Sequence, residues 1–276
     1  MKKKWKIFWS VSVILLVIGV GLCAAGFALG AKWNMIDSAI PGWISLGEFE
    51  DEVLVSEERI DQTSSADVSV QSFSGIHSIE VEAEAMDLQV LVSDEAETVK
   101  VKIEDEDMNR YIKCYNESGE LHLESDYKFN LNKDVATIRI YVPQDVMREV
   151  EVDVNAGTIY IEEIQANHIS VKVDAGEAVV QKFAASEIEL ECGAGRIQAN
   201  GTADREVEVT CGAGEVILNV TGNKEDYNYE IECGIGEVII GNEVHSGINN
   251  TEKHSHHASK EMNIECGIGT ISVAFQ

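Results

Sequence analysis

Cys192-Gly-Ala-Gly195 recurs as Cys211-Gly-Ala-Gly214, and again as Cys233-Gly-Ile-Gly236 and Cys266-Gly-Ile-Gly269. Two earlier versions, Val154-Asn-Ala-Gly157 and Val173-Asp-Ala-Gly176, carry valine in place of cysteine. The closing glycines lie 19, 19, 19, 22 and 33 residues apart. A fixed period near 20 residues marks a repeat architecture, in which each unit buries its apolar side only against its neighbours.

Each unit has one plan. Ile188, Leu190 and Cys192 alternate with polar residues, the Gly-Ala-Gly corner follows, Ile197 and Ala199 alternate again, and Asn200-Gly-Thr-Ala-Asp204 closes the unit. Alternation of this kind is a half-buried strand. The spacing predicts an all-β solenoid with coils of about 19 residues stacked at about 4.8 Å. Stacked in chain order, Val154, Val173, Cys192, Cys211, Cys233 and Cys266 form one inner ladder; Ile159, Ala178, Ile197, Val216, Val238 and Ile271 form a second. Gly157, Gly176, Gly195, Gly214, Gly236 and Gly269 are the corners, where positive φ and close coil spacing favour glycine. The alanine or isoleucine before each is expected to fill the corner. Because valine substitutes for cysteine in the ladder, the thiol reads as a small buried hydrophobe. Whether neighbouring thiols are oxidised stays open.

Upstream, residues 71–148 also alternate. Ile79, Val81 and Ala83, then Leu88, Val90 and Val92, then Val99, Val101 and Ile103 are separated by polar residues. Asn116-Glu-Ser-Gly119 is a hairpin turn and Pro143 ends the last strand. Ala83-Glu-Ala-Met-Asp-Leu88 aligns with Val154-Asn-Ala-Gly-Thr-Ile159, so an early, altered turn of the same architecture is expected here. No helix is expected in this part.

The N-terminus has a different chemistry. Lys2, Lys3, Lys4 and Lys6 precede 25 uncharged residues, Ile7 to Ala31. As a helix this run is about 37 Å long, enough to cross a bilayer. The basic flank stays in the cytoplasm, which places the rest outside, and Trp5, Trp9 and Trp33 mark the interfaces. An uncleaved anchor is favoured over a signal peptide by the length of the run, although Ala28-Leu-Gly30 would serve as a cleavage site. Gly19, Gly21, Gly26 and Gly30 would let another membrane helix approach. Between Glu48 and Asp67 stand eight acids and one Arg59, the composition of a loosely ordered stalk. The chain thus divides into a basic tail (1–6), a transmembrane helix (7–31), an acidic stalk (32–70), a first β part (71–148) and the solenoid repeats (149–276).

Net charge is −28, and five of the 21 basic residues lie in the first 32. Such a surface repels nucleic acid, whose phosphates need Lys and Arg. On the arriving strands Glu151, Glu189, Glu208 and Glu230 are expected to stack, with Asp153, Glu191, Glu232 and Glu265 beside them. Like charges about 5 Å apart repel by about 3 kcal/mol at an effective dielectric near 20, before screening. Water, salt and neighbouring Arg or Lys would offset this, and so would weakly bound Ca²⁺ or Mg²⁺ on Glu189, Glu191, Glu208, Glu230 and Glu232. Arg196 falls between Glu177 and Glu215 as an internal offset. The two longer spacings hold inserts near Gly222–Asp226 and over 240–260, the second containing Val244-His-Ser-Gly-Ile248 and His254-Ser-His-His257. Inserts of a solenoid become surface loops. No partner of His254–His257 has recognisable ligand spacing, so a polar loop is the plainer reading.

No nucleophile elbow, phosphate loop, His-Glu-x-x-His or isolated acid pair is present. The repeats, and above all Glu225-Asp-Tyr-Asn-Tyr-Glu-Ile-Glu-Cys-Gly-Ile-Gly236 and the closing Ile-Glu-Cys-Gly-Ile-Gly-Thr-Ile-Ser-Val, resemble the bacterial putative-adhesin family over residues 70–276. The resemblance implies a β-solenoid on the cell envelope with no established enzyme activity, some relatives being associated with envelope stress. It supplies no catalytic residues. The expectation is a single-pass, non-enzymatic interaction protein of the cell membrane, its C-terminal domain outside the cytoplasm, with another membrane or envelope protein as partner. A carbohydrate-active β-helix enzyme is the alternative.

Overall fold

The computed structural model describes residues 69–93, 98–104, 106–125, 127, 135–246 and 248–276. The apolar span read over 7–31 and the acidic segment up to residue 68 lie outside the described residues. Among the described residues no helix is long and apolar enough to cross a membrane.

The chain begins with β1 (Ser69–Ser74), then turns through β2 (Ser78–Ala83) and β3 (Met86–Ser93). Next come β4 (Thr98–Ile103), one helical turn α1 (Glu106–Asn109) that alternation did not signal, and β5 (Ile112–Glu117). β6 (Glu120–Ser125), β7 (Thr137–Pro143), β8 (Met147–Ile161), β9 (Ile164–Cys192) and β10 (Arg196–Cys211) follow. The C-terminal part holds β11 (Glu215–Val220), β12 (Tyr227–Cys233), β13 (Glu237–Ile240), β14 (Glu243–Ser246), β15 (Asn250–His254), β16 (Lys260–Cys266) and β17 (Thr270–Phe275).

These strands form an all-β solenoid with two main walls. The arriving wall pairs β6, β2, β8, β9, β10, β16 and β12 in parallel. The leaving wall pairs β7, β3, β8, β9, β10, β11, β17 and β13 in parallel. Ala83 stands opposite Val154 and Leu88 opposite Ile159, so residues 78–93 form a coil of the same stack. Between the walls the inward positions are apolar: Val150, Val152, Val171, Leu190, Val209, Ile197, Val216 and Leu218 are all buried.

The coils do not stack in chain order. β16 lies between β10 and β12, and β17 lies between β11 and β13. The last coil of the chain is therefore inserted beneath the one that precedes it. The inner ladder runs Val154, Val173, Cys192, Cys211, Cys266, Cys233, which corrects the sequential order, and its partner ladder ends Val216, Ile271, Val238. Backbone bonds at the corners agree: the Gly267 N–H donates to the Cys211 carbonyl and the Gly234 N–H to that of Cys266, both at 2.7 Å. The same inversion occurs at the other end. β2 and β3 sit between β8 and the later strands β6 and β7.

Both inversions place antiparallel strands on the outside. β5 covers β6, while β4 and β1 continue from β7. At the far end β15 covers β12 and β14 covers β13. A parallel stack leaves a row of unpaired backbone groups at each end, open to pairing with other chains. The 33-residue spacing is the length needed to run out, fold these covering strands and return. The insert between β13 and β16 is therefore two short covering strands joined by turns rather than one loop.

The corners also differ from expectation in detail. Gly157 has φ 139° and Gly176 159°, while the other four corner glycines have no comparable positive φ. Their requirement is space. A Cβ on Gly214 would land on the Gly195 carbonyl oxygen and 2.8 Å from Cys192 Sγ. Of the residues before the glycines only Ala156 packs against the core; the others point outward, Ile235 being 65% and Ile268 58% exposed. The ladder cysteines Cys192, Cys211, Cys233 and Cys266 are thiols, all buried. The Cys233 thiol donates to the Gly236 carbonyl and that of Cys266 to Gly269, each at 3.1 Å. Burial pushes the Cys266 thiol up to about 12, which keeps it protonated as a donor.

Candidate functional site

The outward positions of the arriving wall carry most of the polar chemistry. Read across the coils, one row is His122, Glu80, Glu151, Ser170, Glu189, Glu208, Asn263, Glu230, Lys253. The next is Glu124, Glu82, Asp153, Lys172, Glu191, Thr210, Glu265, Glu232, Thr251. The five glutamates expected to form one cation face are thus not contiguous. Asn263 separates Glu208 from Glu230, and Thr210 and Glu265 separate Glu191 from Glu232. The displaced final coil supplies Asn263 and Glu265, while Thr210 belongs to the preceding coil in chain order.

Within these rows acids are answered from adjacent coils. Lys172 Nζ stands 3.8 Å from Asp153 and 3.5 Å from Glu191. Ser170 donates to Glu189 at 3.2 Å, His122 lies 2.5 Å from Glu80, and Lys253 lies 2.7 Å from Glu230. Two residues earlier on the same outward face, His168 is 3.4 Å from Glu187, which Arg205 also contacts, and Asn263 donates to Glu206 at 3.1 Å. On the leaving wall Arg196 sits in register between Glu177 and Glu215, 3.2 Å from the latter. Exposed pairs of this kind contribute little each, but they cancel the repulsion a pure acid ladder would carry.

Glu208 lies among other acids. Partial burial, then Glu189, Glu206, Glu265 and Glu191, raise its carboxyl above the usual range. A raised carboxylate pKa means that the folded state holds the proton more tightly than the unfolded chain. Stability from this group is present at acid pH and is lost as pH rises through the folded pKa. Glu208→Gln should therefore raise Tm at pH 7 by about 1–3 °C, and the gain should vanish as pH falls towards the ordinary carboxylate value of 4.5. Thermal melts of both proteins between pH 4.5 and 7.5 measure this.

A shallow open hollow of about 430 Å³ lies at the N-terminal end of the arriving wall, lined by Glu82, Glu84, Lys113, Glu124, Asp153 and Asn155. Lys113 is its one base and lies 3.5 Å from Glu124. The Tyr115 hydroxyl donates to the same carboxylate at 2.7 Å.

The C-terminal covering strands hold a second polar cluster. His245 stands opposite Val238, Glu252 opposite Ile231 and His254 opposite Tyr229, so all three continue buried rows of the core. Glu252 Oε2 is 2.8 Å from His245 Nδ1 and 3.1 Å from His254 Nε2. Asn250 Nδ2 donates to the other carboxylate oxygen. The two imidazole rings meet edge-on with centroids 5.6 Å apart. Hydrogen bonds from His245, His254 and Asn250 hold the Glu252 carboxyl well below its usual range, at about 2. Of the run His254–His257, only His254 joins this cluster; His256 Nδ1 is hydrogen-bonded to the Tyr227 carbonyl at 2.7 Å. The sequence pointed to that run but not to its partners, because His245 and Glu252 come together only through two short antiparallel strands.

Stacked parallel coils, ends sealed by antiparallel strands and a polar wall of acids answered from adjacent coils define a capped all-β solenoid. The chain belongs to the family described as Toastrack DUF4097, whose model matches residues 59–274. No curated protein matches it. Among crystal structures it is similar to a "putative cell adhesion protein" from Clostridium sporogenes, 16% identical, covering 76% of this chain and 99% of that one at a TM-score of 0.44. A "putative adhesin" from Bacteroides fragilis is 12% identical, over 76% of this chain and 98% of that one, at 0.34. A "putative lipid binding protein" from Parabacteroides distasonis is 15% identical, over 75% and 97%, at 0.24.

Proposed function

We propose that the chain is a single-pass membrane protein that holds its solenoid outside the cytoplasm as a non-enzymatic interaction surface, adhesin-like or associated with envelope stress, with another membrane or envelope protein as its partner. The observation that carries this reading is the arriving wall. Its polar side chains are paired with one another across coils in a repeating row, which suits a rigid display surface. An acid-base pair poised for catalysis would instead need groups converging on a reacting atom. The anchor reading rests on the lysine-flanked apolar run over 7–31.

The test is protease shaving of intact Gram-positive cells that express the full chain with a C-terminal tag. The domain should be cut from outside while the chain fractionates with membranes. Recovery of the tagged domain in the cytosol, or free in the medium, would overturn the anchored reading. Incubation with cell-wall and host glycans should give no new reducing ends or unsaturated products. Turnover that is lost in Lys113→Ala would instead establish the carbohydrate-active alternative at the hollow. Weak Ca²⁺ or Mg²⁺ binding is proposed on Glu189, Glu191 and Glu208, which remain neighbours. Millimolar Ca²⁺ should then raise Tm above its value in chelator, and equal melting temperatures would contradict it.

A further inference from the structure

We propose that the C-terminal cap is a binding site for a divalent transition-metal ion of the zinc class, with His245, Glu252 and His254 as its three protein ligands. The proposal does not depend on the function assigned above. His245 Nδ1 and His254 Nε2 both aim at one oxygen, Glu252 Oε2, at 2.8 and 3.1 Å. The three ligand atoms lie within 4.8 Å of one another. Two imidazoles and a carboxylate converging on a point are the donor set of zinc sites that keep one position for water or a further ligand. Imidazole donors select Zn²⁺, Cu²⁺ or Ni²⁺ over Ca²⁺ or Mg²⁺, which take oxygen.

A cap needs only some inward polar residues to stop further stacking. At the N-terminal end these are uncharged: Ser69 and Gln71 of β1 stand opposite Ile103 and Val101. The C-terminal end instead places two imidazoles and a carboxylate at the three inward positions that continue Val238, Ile231 and Tyr229. Side-chain exposure falls from 43% at His254 to 10% at His245, so one flank of the triad is open to an arriving ion and the other enclosed. Binding is simple ligand exchange. Each ring moves the proton facing Glu252 to its other nitrogen or to water, and the freed lone pair goes to the ion. No oxidant or reductant is required. An ion here would bridge β14 on one wall to β15 on the other and clip shut the end of the solenoid.

A second trio, Glu149, Glu151 and His168, also comes together. It offers one imidazole, and His168 faces Glu187 at 3.4 Å as well, so it serves as the control.

The experiment is calorimetric titration of Zn²⁺ into the chelator-stripped full-length chain in detergent micelles, with parallel melts. Wild type should take up one saturable equivalent and gain about 5 °C or more in Tm at saturating ion. His245→Gln and His254→Gln keep a hydrogen-bonding side chain, and each should weaken Zn²⁺ at least ~100-fold, since loss of outer-shell partners alone costs 10–100-fold. His168→Gln should leave binding unchanged. In the wild type, Zn²⁺ should shift the ring nitrogens of His245 and His254 in NMR spectra but not those of His168, which keeps the test valid if a variant fails to fold. Absence of saturable binding, binding that survives both variants, or binding lost in His168→Gln overturns the proposal.

Discussion

Gly214→Val is expected to lower the stability of the domain by about 3–5 kcal/mol, above the usual cost of overpacking. For a domain of this size that is a fall in Tm of about 10 °C or more. The cause is close approach rather than backbone conformation. The new Cβ would fall on the Gly195 carbonyl oxygen, with Cys192 Sγ at 2.8 Å, and both belong to a neighbouring coil fixed by its own ladder bonds. Gly269 packs on the Gly214 carbonyl from the other side, so displacing the corner disturbs two interfaces. Ala213→Ser, one residue earlier on the exposed corner, should change Tm by less than about 2 °C. Differential scanning calorimetry of the three proteins measures both effects. A Gly214→Val domain that melts with wild type would mean the corners are not in contact.

Ending the chain after Ser259 should abolish cooperative folding of the C-terminal half. In a solenoid stacked in chain order this deletion trims one terminal coil and leaves the rest intact, because each repeat touches only its neighbours. Here it removes an inner coil. Met262, Ile264, Cys266, Ile271 and Val273 are all buried between β10–β11 on one side and β12–β13 on the other. At about 1.5–3 kcal/mol for each fully buried large apolar side chain, their loss is comparable with the whole stability of a typical domain. The deletion also uncovers Val207, Val209, Val216 and Leu218. Hydrogen exchange should show protection lost over β10 to β15 while β2, β3 and β8 keep theirs. Loss confined to the residues nearest the cut would contradict the inserted-coil arrangement.

The inversion marks where reading from sequence stops. Periodicity assigns each residue its place within a coil, so the ladders of Val154 and Ile159, and the pairing of Ala83 with Val154, follow from the repeat itself. It does not say which coil lies next to which. Cys211, Cys233 and Cys266 have nearly the same flanks, and any order would satisfy their burial. Chain order sets Glu208 beside Glu230, where the fold places Asn263. One signal was available. A 33-residue spacing is too long for a loop between adjacent coils and long enough to build β14 and β15. The outward isoleucines had no such signal, since the Gly-Ile-Gly context is equally compatible with a filled corner and a bare one. The His245, Glu252 and His254 cluster was hidden for the same reason as the inversion: its members meet only after the insert folds back as two antiparallel strands.

The stacking order can be measured directly from methyl contacts between Val209, Ile231 and Ile264 in selectively labelled protein. All three occupy the same inward row of the arriving wall, and Ile264 is paired to both of the others. With coils about 4.8 Å apart, the account predicts strong nuclear Overhauser contacts for Val209 with Ile264 and for Ile264 with Ile231, and none of comparable strength between Val209 and Ile231. A strong contact between Val209 and Ile231, with none between Val209 and Ile264, would show coils stacked in chain order and contradict it.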